Sequence, residues 1–235
     1  MLKRAFDFVA SLIGLILFSP IIAIMALWIK KDSPGPVFYR GVRVGLNGKP
    51  FKIFKFRSMV MNADKIGGPS TSDDDRRITS SGKFIRKFKL DEIPQLINVL
   101  VGEMSLVGPR PEVQKYIDMY TPREMPILDL RPGITDWASI WNSDEGAILA
   151  GLEDPDAGYE KYIRPGKLDL QLKYRNEHNL VTDIKLIFYT FRRIFDKGFY
   201  PKELATYPRL KPVLETQHAV VHMAESDTET PANPS

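Results

Sequence analysis

The sequence predicts an α+β protein that is mostly helical and begins with a membrane segment. Residues 8–29 form a run of 22 residues without a charge, which is long enough to enter a bilayer. Two strand-like runs flank Asn47-Gly48, a dipeptide typical of a tight hairpin turn. Apolar residues spaced three and four apart in 83–101 and 167–195 predict helices. We therefore expect a membrane anchor followed by a small cytoplasmic domain with a β-hairpin and amphipathic helices.

The uncharged run is interpreted as a membrane anchor that occupies residues 1–31. It is long for a signal peptide, and no small-residue cleavage site follows it. Pro20 removes a backbone hydrogen bond in the middle of the run and the hydroxyl of Ser19 can partly replace it, so we expect a helix break here. Basic residues flank the run at both ends: Lys3, Arg4, Lys30 and Lys31. The positive-inside rule therefore selects no orientation, and the residues alone leave a re-entrant helix-break-helix and a kinked spanning helix equally open.

The rest of the chain divides into one domain and an extension. With 235 residues, of which 43% are hydrophobic, the chain can bury one sizeable core. We assign residues 32–200 to the cytoplasmic, membrane-associated domain and residues 201–235 to a C-terminal extension. The last part of the extension, ESDTETPANPS, has no aromatic residue and is rich in proline, serine, threonine and acids. We expect disorder after about residue 215, because such a composition cannot bury a core.

Charge and cysteine content exclude several classes of function. The chain has 33 lysine and arginine residues against 29 acidic ones, and a net charge of +4 is too small to indicate a nucleic-acid partner. Anionic lipids or phosphates are better partners for its basic cluster, which contains Arg40, Arg43, Lys52, Lys55 and Arg57. There is no cysteine, which excludes disulfides, thiolate metal sites and cysteine nucleophiles.

Two further segments have less specific interpretations. The acidic run 73–75 lacks the spacing of a calcium loop, and we expect a turn whose acids pair with Arg76 and Arg77. The stretch 181–195 has a broad apolar face, which indicates a helix that packs on the domain core or, less commonly, lies on a membrane surface. Neither segment identifies a function by itself.

Asp91 and Glu92 are adjacent acids at a predicted helix start. The helix is expected to run from Asp91 to about Val101, where Gly102 ends it, with Pro94 tolerated in the first turn. Taken alone, the residues favour Asp91 as the cap of this helix. A helix N-terminus also binds phosphate, and two acids that face a phosphate need a cation such as Mg²⁺. Phosphoryl transfer is therefore chemically reasonable. The sequence has neither a P-loop nor a dinucleotide-binding motif, so it indicates neither of those two kinds of phosphate-binding fold.

Several motifs together resemble one protein family. They are the apolar start with Ser19-Pro20, the segment GPVFYRGVRVGLNGKPFKIFKFRSM, the block DEIPQLINVLVGEMSLVGPRP and the motif RPGIT. Through them, residues 1 to about 195 resemble the bacterial monotopic polyprenol-phosphate phosphoglycosyltransferases, the initiating sugar transferases of glycan assembly. The chain is similar to the minimal catalytic form of that family, which lacks the extra N-terminal spanning helices of longer members.

The resemblance implies a location, a reaction and partners. It implies a re-entrant anchor, interfacial amphipathic helices and an active site on the cytoplasmic face of the bacterial inner membrane. The implied reaction transfers a phosphosugar from a UDP-sugar to polyprenol phosphate, usually undecaprenyl phosphate, and releases UMP, with Mg²⁺ as cofactor. The implied partners are these two substrates and membrane lipids. A homodimer, downstream glycosyltransferases and the identity of the sugar are left open.

The same resemblance implies roles for individual residues. Asp91 would be the nucleophile that forms a covalent phosphosugar intermediate, and Glu92 would assist through Mg²⁺ or proton transfer. Both acids are the implied metal ligands. The implied phosphate-binding cations are Lys55, Arg57, Arg86 and Arg110, with Arg131 on the nucleotide side.

Three positions depart from the family pattern. Asp136 stands where glycine is common, Lys89 where serine is common, and Gln171 where aspartate is common. These departures leave the two acids intact, and they put the assignment of the nucleotide or sugar pocket in question.

Two other functions compete with the transferase: a non-catalytic membrane scaffold for glycan enzymes and a lipid-phosphate phosphatase.

Overall fold

The computed structural model describes residues 2–212, and it begins with one long helix. Helix α1 spans Leu2–Asp32 and contains Pro20. The Ser19 hydroxyl donates a hydrogen bond of 2.8 Å to the carbonyl of Ile16, the group that the N–H of residue 20 would otherwise have served. The helix therefore continues through the predicted break at Ser19-Pro20. With 31 residues and an apolar composition, α1 is long enough to cross a membrane.

Both ends of α1 contact the body of the protein. Near its start, Asp7 is 1% exposed and accepts hydrogen bonds from the Ser105 hydroxyl at 2.8 Å and the Leu106 N–H at 3.1 Å. At its other end, the Asp32 carboxylate accepts 2.8 Å hydrogen bonds from the backbone N–H and hydroxyl of Ser81. Helix α1 thus lies against the rest of the described protein at both of its ends.

The predicted hairpin is confirmed. Four short strands form it: β1 Phe38–Tyr39, β2 Val42–Val44, β3 Pro50–Lys52 and β4 Lys55–Phe56. Strand β2 pairs antiparallel with β3, and β1 pairs antiparallel with β4. At the turn, Asn47 and Gly48 have φ angles of 55° and 74°, the left-handed conformation that these two residue types tolerate best.

Eight further α-helices and two strands follow within residues 2–212, together with short 3₁₀ turns and a π-helical turn at Tyr159–Ile163. The helices are α2 Ser80–Lys87, α3 Gln95–Val101, α4 Gln114–Ile117, α5 Trp137–Trp141, α6 Glu145–Ile148, α7 Pro155–Gly158, α8 Arg164–Glu177 and α9 Leu180–Phe195. Strand β5 Ser105–Val107 pairs in parallel with β6 Gly133–Thr135. The single helical stretch predicted over 167–195 is wrong, because the Asn179 side chain accepts a hydrogen bond from the N–H of Thr182 and starts α9 as a separate helix.

The main hydrophobic core lies in the C-terminal half and includes part of the predicted extension. Trp137 and Tyr174 are almost completely buried in it. Leu204 is also fully buried, and the indole N–H of Trp141 donates to the carbonyl of Pro208 at 2.9 Å. Packing therefore continues past the predicted boundary at residue 200. The disorder expected after about residue 215 lies outside the described residues.

Helix α9 leaves most of its apolar face exposed. The core residues of this helix are Asp183 and Leu186. Its exposed apolar side chains are Val181, Ile184, Phe188, Phe191, Ile194 and Phe195. Packing on the domain core, which the residues alone favoured, is therefore confirmed for Leu186 and Ile187, while the exposed side chains of this face take no part in it. In the acidic run 73–75, Asp75 accepts hydrogen bonds from the guanidinium of Arg77, which is the predicted pairing with this arginine.

Candidate active site

The two acids lie in a short turn between two helices. Lys89 has a φ of 56° and reverses the chain after α2, so that Leu90–Glu92 forms a separate 3₁₀ turn. Helix α3 begins only at Gln95, and Pro94 precedes it without a side-chain cap. The prediction that Asp91 caps this helix is therefore wrong, while the predicted end at Gly102, whose φ is 91°, is confirmed.

Asp91 is largely buried, and its carboxylate accepts no hydrogen bond from the part of the chain that the structure describes. Asp91 is 8% exposed, and within residues 2–212 its ionic partner is Lys55, with 3.5 Å between Nζ and Oδ2. The Asp91 side chain is 12% exposed, so its carboxylate oxygens keep contact with solvent and are not fully buried without a partner. A carboxylate that keeps its lone pairs free is suited to attack an electrophile.

The Glu92 carboxylate is held by two cations. Its Oε1 atom lies 3.1 Å from Lys55 Nζ and 2.5 Å from a terminal nitrogen of Arg110. Burial alone would raise the pKa of Glu92, but the charges of Arg110 and Lys55 outweigh burial and hold that pKa well below its usual range. In return, Glu92 raises the pKa of Arg110. Glu92 is therefore an anion at neutral pH and is poorly suited to donate a proton.

Three separate segments supply these charges. Lys55 comes from β4, the acids from the turn before α3, and Arg110 from the Gly-Pro-Arg-Pro turn after β5. The glycines allow that turn to approach β6 closely, because a Cβ atom on Gly133 would lie 2.0 Å from the backbone N of Gly108. The site therefore depends on tight packing between β5 and β6.

The three departures from the family pattern all lie around these charges. The N–H of Arg110 donates to Asp136 Oδ2 at 3.3 Å, and the Gln171 side-chain amide donates to the carbonyl of Arg110 at 3.4 Å. Both Asp136 and Gln171 are fully buried. Lys89 donates to the carbonyl of Ser143 at 2.5 Å, and its charge contributes to the low pKa of Glu92. Asp136 and Gln171 thus bind the backbone of Arg110, and Lys89 adds positive charge near Glu92.

The structure does not bring the other predicted cations into contact with the acids. Arg57 is buried and donates to carbonyls at the end of α1, including that of Ser33 at 2.7 Å. Burial raises the pKa of Asp75, whereas Arg77 and, to a smaller extent, the charge of Arg86 lower it. Arg131 has a buried Nε atom without a partner among the described residues. Phosphate binding by these three arginines stays a prediction.

Sequence reasoning missed one charged residue of this region. Glu145, at the start of α6, raises the pKa of Arg110 after the larger effect of Glu92. Its segment, WNSDEG, contains a possible helix cap followed by acids, but nothing in that pattern indicates a contact with a residue 35 positions earlier. Only the tertiary structure brings the charge of Glu145 near enough to affect Arg110.

Asp91 and Glu92 suit a Mg²⁺ ion that is held by the protein and a phosphate substrate together. Carboxylate oxygens are the ligands that Mg²⁺ prefers, and proteins usually supply one or two of them while substrate phosphates and water complete the shell. Asp91 and Glu92 provide two carboxylates. Over residues 2–212 there is no group of three or more acidic or histidine side chains arranged around a metal position. The donor set therefore fits an ion that is held together with a phosphate substrate.

A second buried ion pair lies just beyond Arg110. Lys167 on α8 donates to both Glu112 and Tyr159, at 2.9 Å for the tyrosine oxygen, and the tyrosine hydroxyl donates to Glu112 at 2.8 Å. Burial would lower the pKa of Lys167, but the charges of Glu112 and Glu145 together with the hydrogen bond to Glu112 outweigh burial and raise it. Every charged group in this cluster has a hydrogen-bond partner.

Comparison with known proteins places this sequence in a family. The pattern that defines the bacterial sugar transferases matches residues 1–197. A UDP-N-acetylgalactosamine-undecaprenyl-phosphate N-acetylgalactosaminephosphotransferase of Aeromonas hydrophila is 38% identical over 197 residues, which are 82% of this chain and 43% of the relative. A UDP-glucose:undecaprenyl-phosphate glucose-1-phosphate transferase of Escherichia coli (strain K12) is 39% identical over 207 residues, which are 85% of this chain and 42% of that protein.

A third relative has a similar length. The uncharacterized sugar transferase EpsL of Bacillus subtilis (strain 168) is 37% identical over 193 residues, which are 82% of this chain and 87% of the relative. The chain thus spans less than half of the first two relatives but most of the third. The matched region contains the hairpin, both acids and the Arg110 turn, and the chain belongs to the bacterial sugar transferase family.

Proposed function

We propose that the chain transfers a sugar 1-phosphate from a UDP-sugar to undecaprenyl phosphate or a related polyprenol phosphate, and releases UMP. The observation that carries this proposal is the Asp91 carboxylate, which lies largely buried beside Lys55 and, among residues 2–212, neither caps a helix nor accepts a hydrogen bond. The substrates in the proposal are those named for the relatives from Aeromonas hydrophila and Escherichia coli.

Asp91 acts as the nucleophile in two displacement steps. In the first step, a carboxylate oxygen of Asp91 attacks the phosphorus that carries the sugar. The bond between that phosphorus and the bridging oxygen breaks, and UMP leaves with the oxygen. In the second step, a phosphate oxygen of the polyprenol phosphate attacks the same phosphorus and the bond to Asp91 breaks. The carboxylate is restored, and the product is a polyprenyl diphosphate sugar.

The cations around Asp91 make attack on a phosphate feasible. A carboxylate and a diphosphate repel each other, and Lys55 and Arg110 supply positive charge at the place where they meet. Mg²⁺, held by Asp91 and Glu92, would neutralise further charge on the diphosphate when bound. Glu92 stays ionised, so its role is to hold Lys55, Arg110 and the metal rather than to transfer a proton.

We further propose a monotopic, re-entrant placement on the cytoplasmic face of the membrane. A helix that spans the bilayer carries one of its ends to the side opposite the domain. In α1, Lys3 pairs with Asp183 at 2.5 Å while Asp32 binds Ser81, so both ends contact the same body. The exposed apolar face of α9 and the exposed aromatic side chains of Phe84 on α2 and Phe88 just after it support contact with the membrane surface.

A UMP-release assay tests the reaction. The full chain is purified in lipid nanodiscs and incubated with Mg²⁺, polyprenol phosphate and each member of a UDP-sugar panel. We expect UMP from at least one donor, and loss of UMP release in Asp91→Asn. Asp64→Asn, at an exposed position, is the matched control and should retain activity. Full activity of Asp91→Asn would refute the nucleophile, and release of inorganic phosphate from the lipid would indicate a phosphatase.

Trapping tests the intermediate directly. When the acceptor is left out, the wild-type protein should release a burst of UMP no larger than one per protein and gain the mass of one sugar phosphate on the peptide that contains Asp91. Multiple turnovers without mass gain would indicate direct transfer instead.

Accessibility labelling tests the placement. Because the chain has no cysteine, Leu2→Cys and Pro36→Cys each introduce one label site, both at exposed positions. A membrane-impermeant maleimide should reach both sites from the cytoplasmic side only. Labelling of the two sites from opposite sides would mean that α1 spans the membrane.

A further inference from the structure

One buried amide connects the strand that carries Lys55 to the helix that follows the two acids. Asn98 on α3 is fully buried. Its Oδ1 accepts a hydrogen bond from the N–H of Phe54 at 2.8 Å, and its Nδ2 donates to the carbonyl of Lys52 at 3.0 Å. The side chain thus binds the backbone on both sides of Ile53, just before Lys55.

The amide takes the place of a neighbouring strand. The N–H of Ile53 donates to the carbonyl of Gly41 at 3.0 Å, so residue 53 pairs with the other arm of the hairpin. Backbone groups alternate in direction along a strand, and the carbonyl of residue 52 and the N–H of residue 54 therefore face the opposite edge. Asn98 supplies one acceptor and one donor there, which is the pattern that a paired backbone residue would present.

A carboxylate fixes which way the amide points. Glu103 Oε2 accepts a hydrogen bond of 2.6 Å from Nδ2 of Asn98. The nitrogen therefore faces Glu103 and Lys52, and the oxygen faces Phe54. Aspartate at position 98 would keep the acceptor for Phe54, lose the donor for Lys52 and place a second negative charge against Glu103.

We infer that Asn98 is a positioning residue that sets the distance between the Lys55 ammonium and the carboxylates of Asp91 and Glu92. Lys55 is the residue after Phe54, and α3 starts three residues after Glu92. Asn98 joins the two backbones by hydrogen bonds at a buried position, where Ile53 and Val99 also pack together. This inference rests on the proposed transfer reaction, and it assigns Asn98 no contact with substrate.

A double-mutant cycle on transfer tests the inference. Steady-state UMP release is measured over a range of UDP-sugar concentrations for wild type, Asn98→Asp, Lys55→Arg and the double variant, all in nanodiscs. Asn98→Asp should lower kcat about tenfold while KM for the UDP-sugar changes less than about threefold, because Asp91 and Lys55 are misaligned but still present. If Asn98 acts through Lys55, the double variant should be about as slow as the slower single variant.

Several results would overturn the role of Asn98. Full activity of Asn98→Asp would show that alignment does not depend on the amide, and additive losses in the cycle would show that it acts on the fold rather than through Lys55. Asn179→Ala, which removes the cap of α9 far from the site along the chain, is the structural control and should lower the melting temperature without changing kcat.

A second variant covers the case in which Asn98→Asp does not fold. Glu103→Ala frees the amide without placing a new charge beside it, and it should lower kcat about threefold with an unchanged KM. An unchanged kcat in a folded Glu103→Ala protein would contradict the inference. If wild type itself releases no UMP from any donor, the proposed function fails, whereas failure of the inference leaves wild-type activity intact.

Discussion

Two buried charge clusters flank the Pro109–Glu112 turn, and they differ in how completely their charges are paired. In the first, Lys55 and Arg110 share one oxygen of Glu92, and Asp91 accepts no hydrogen bond from the described residues. In the second, Lys167, Glu112 and Tyr159 form a closed triangle of hydrogen bonds. The residue chemistry is nearly the same, but only the first cluster keeps an anion available for reaction.

The difference shows what separates a site from a structural ion pair. Burying a charge costs free energy unless it is paired and hydrogen-bonded, and the second cluster meets both conditions. In the first cluster, the cations hold Glu92 and leave Asp91 with one ionic contact at 3.5 Å. A phosphate substrate would complete that arrangement. Equivalent substitutions should therefore affect different properties: mainly the stability of the protein in the second cluster and mainly its activity in the first.

The largest expected effect is on stability, from Lys167→Met. The substitution leaves Glu112 buried without its cation, and we expect the free energy of unfolding to fall by about 3–5 kcal/mol. Urea unfolding followed by tryptophan fluorescence measures this loss. A loss below about 1 kcal/mol would mean that the second cluster is not the structural one.

Lys55→Met is the matched change in the first cluster and should affect activity instead. Glu92 keeps Arg110 as a partner, and Asp91 loses only a 3.5 Å contact to a side chain that is itself 19% exposed, so we expect a much smaller loss of stability than in Lys167→Met. UMP release should fall about 100-fold, because the positive charge beside Asp91 is lost where the phosphate is attacked. Equal losses of stability in Lys55→Met and Lys167→Met would remove the distinction between the clusters. Lys83→Met, at an exposed position on α2, is the control.

Arg110→Lys tests whether the shape of the cation matters. Lysine keeps the charge but not the planar fork that binds carboxylate and phosphate, and we expect about a tenfold fall in UMP release. Arg123→Lys, in an exposed pair with Asp169, should have no effect. Retention of full activity in Arg110→Lys would mean that charge alone suffices.

The smallest expected effect is the pH dependence of stability. The cations hold the pKa of Glu92 below its ordinary value of 4.5, so its contribution is complete above that value and is lost as pH falls further. The melting temperature of wild type should therefore exceed that of Glu92→Gln at pH 7, and the difference should shrink below about pH 4.5. Glu153→Gln, at an exposed position, should show no such trend. A constant difference would contradict the ion-pair assignment.

Local features of the fold were predictable because neighbouring residues encode them. Asn47-Gly48 predicted the hairpin, since few residue types tolerate its left-handed turn, and Gly102 predicted the end of α3 for the same reason. The parallel pair of β5 and β6 was not predicted. Each strand has three residues and they lie far apart in sequence, so no local periodicity indicates their pairing.

Helix boundaries near the site were less predictable. Asp91 has the composition of a helix cap, but the left-handed conformation of Lys89 places the acids in a turn of their own. Lysine rarely adopts that conformation, and nothing in the sequence indicates it. Likewise, Arg57 matches a phosphate-binding pattern, yet its guanidinium is placed by the carbonyls at the end of α1.

The sequence by itself determined the apolar anchor, the hairpin and the presence of two adjacent acids before a helix. These features depend on the order of neighbouring residues, which any reader of the chain can see. Tertiary structure alone decided which cations meet the acids. Lys55 and Arg110 come from segments on either side of Asp91 and Glu92, and packing of the hairpin, α3 and the β5–β6 pair brings them together. Such convergence arises from contacts between distant segments, which no local pattern records.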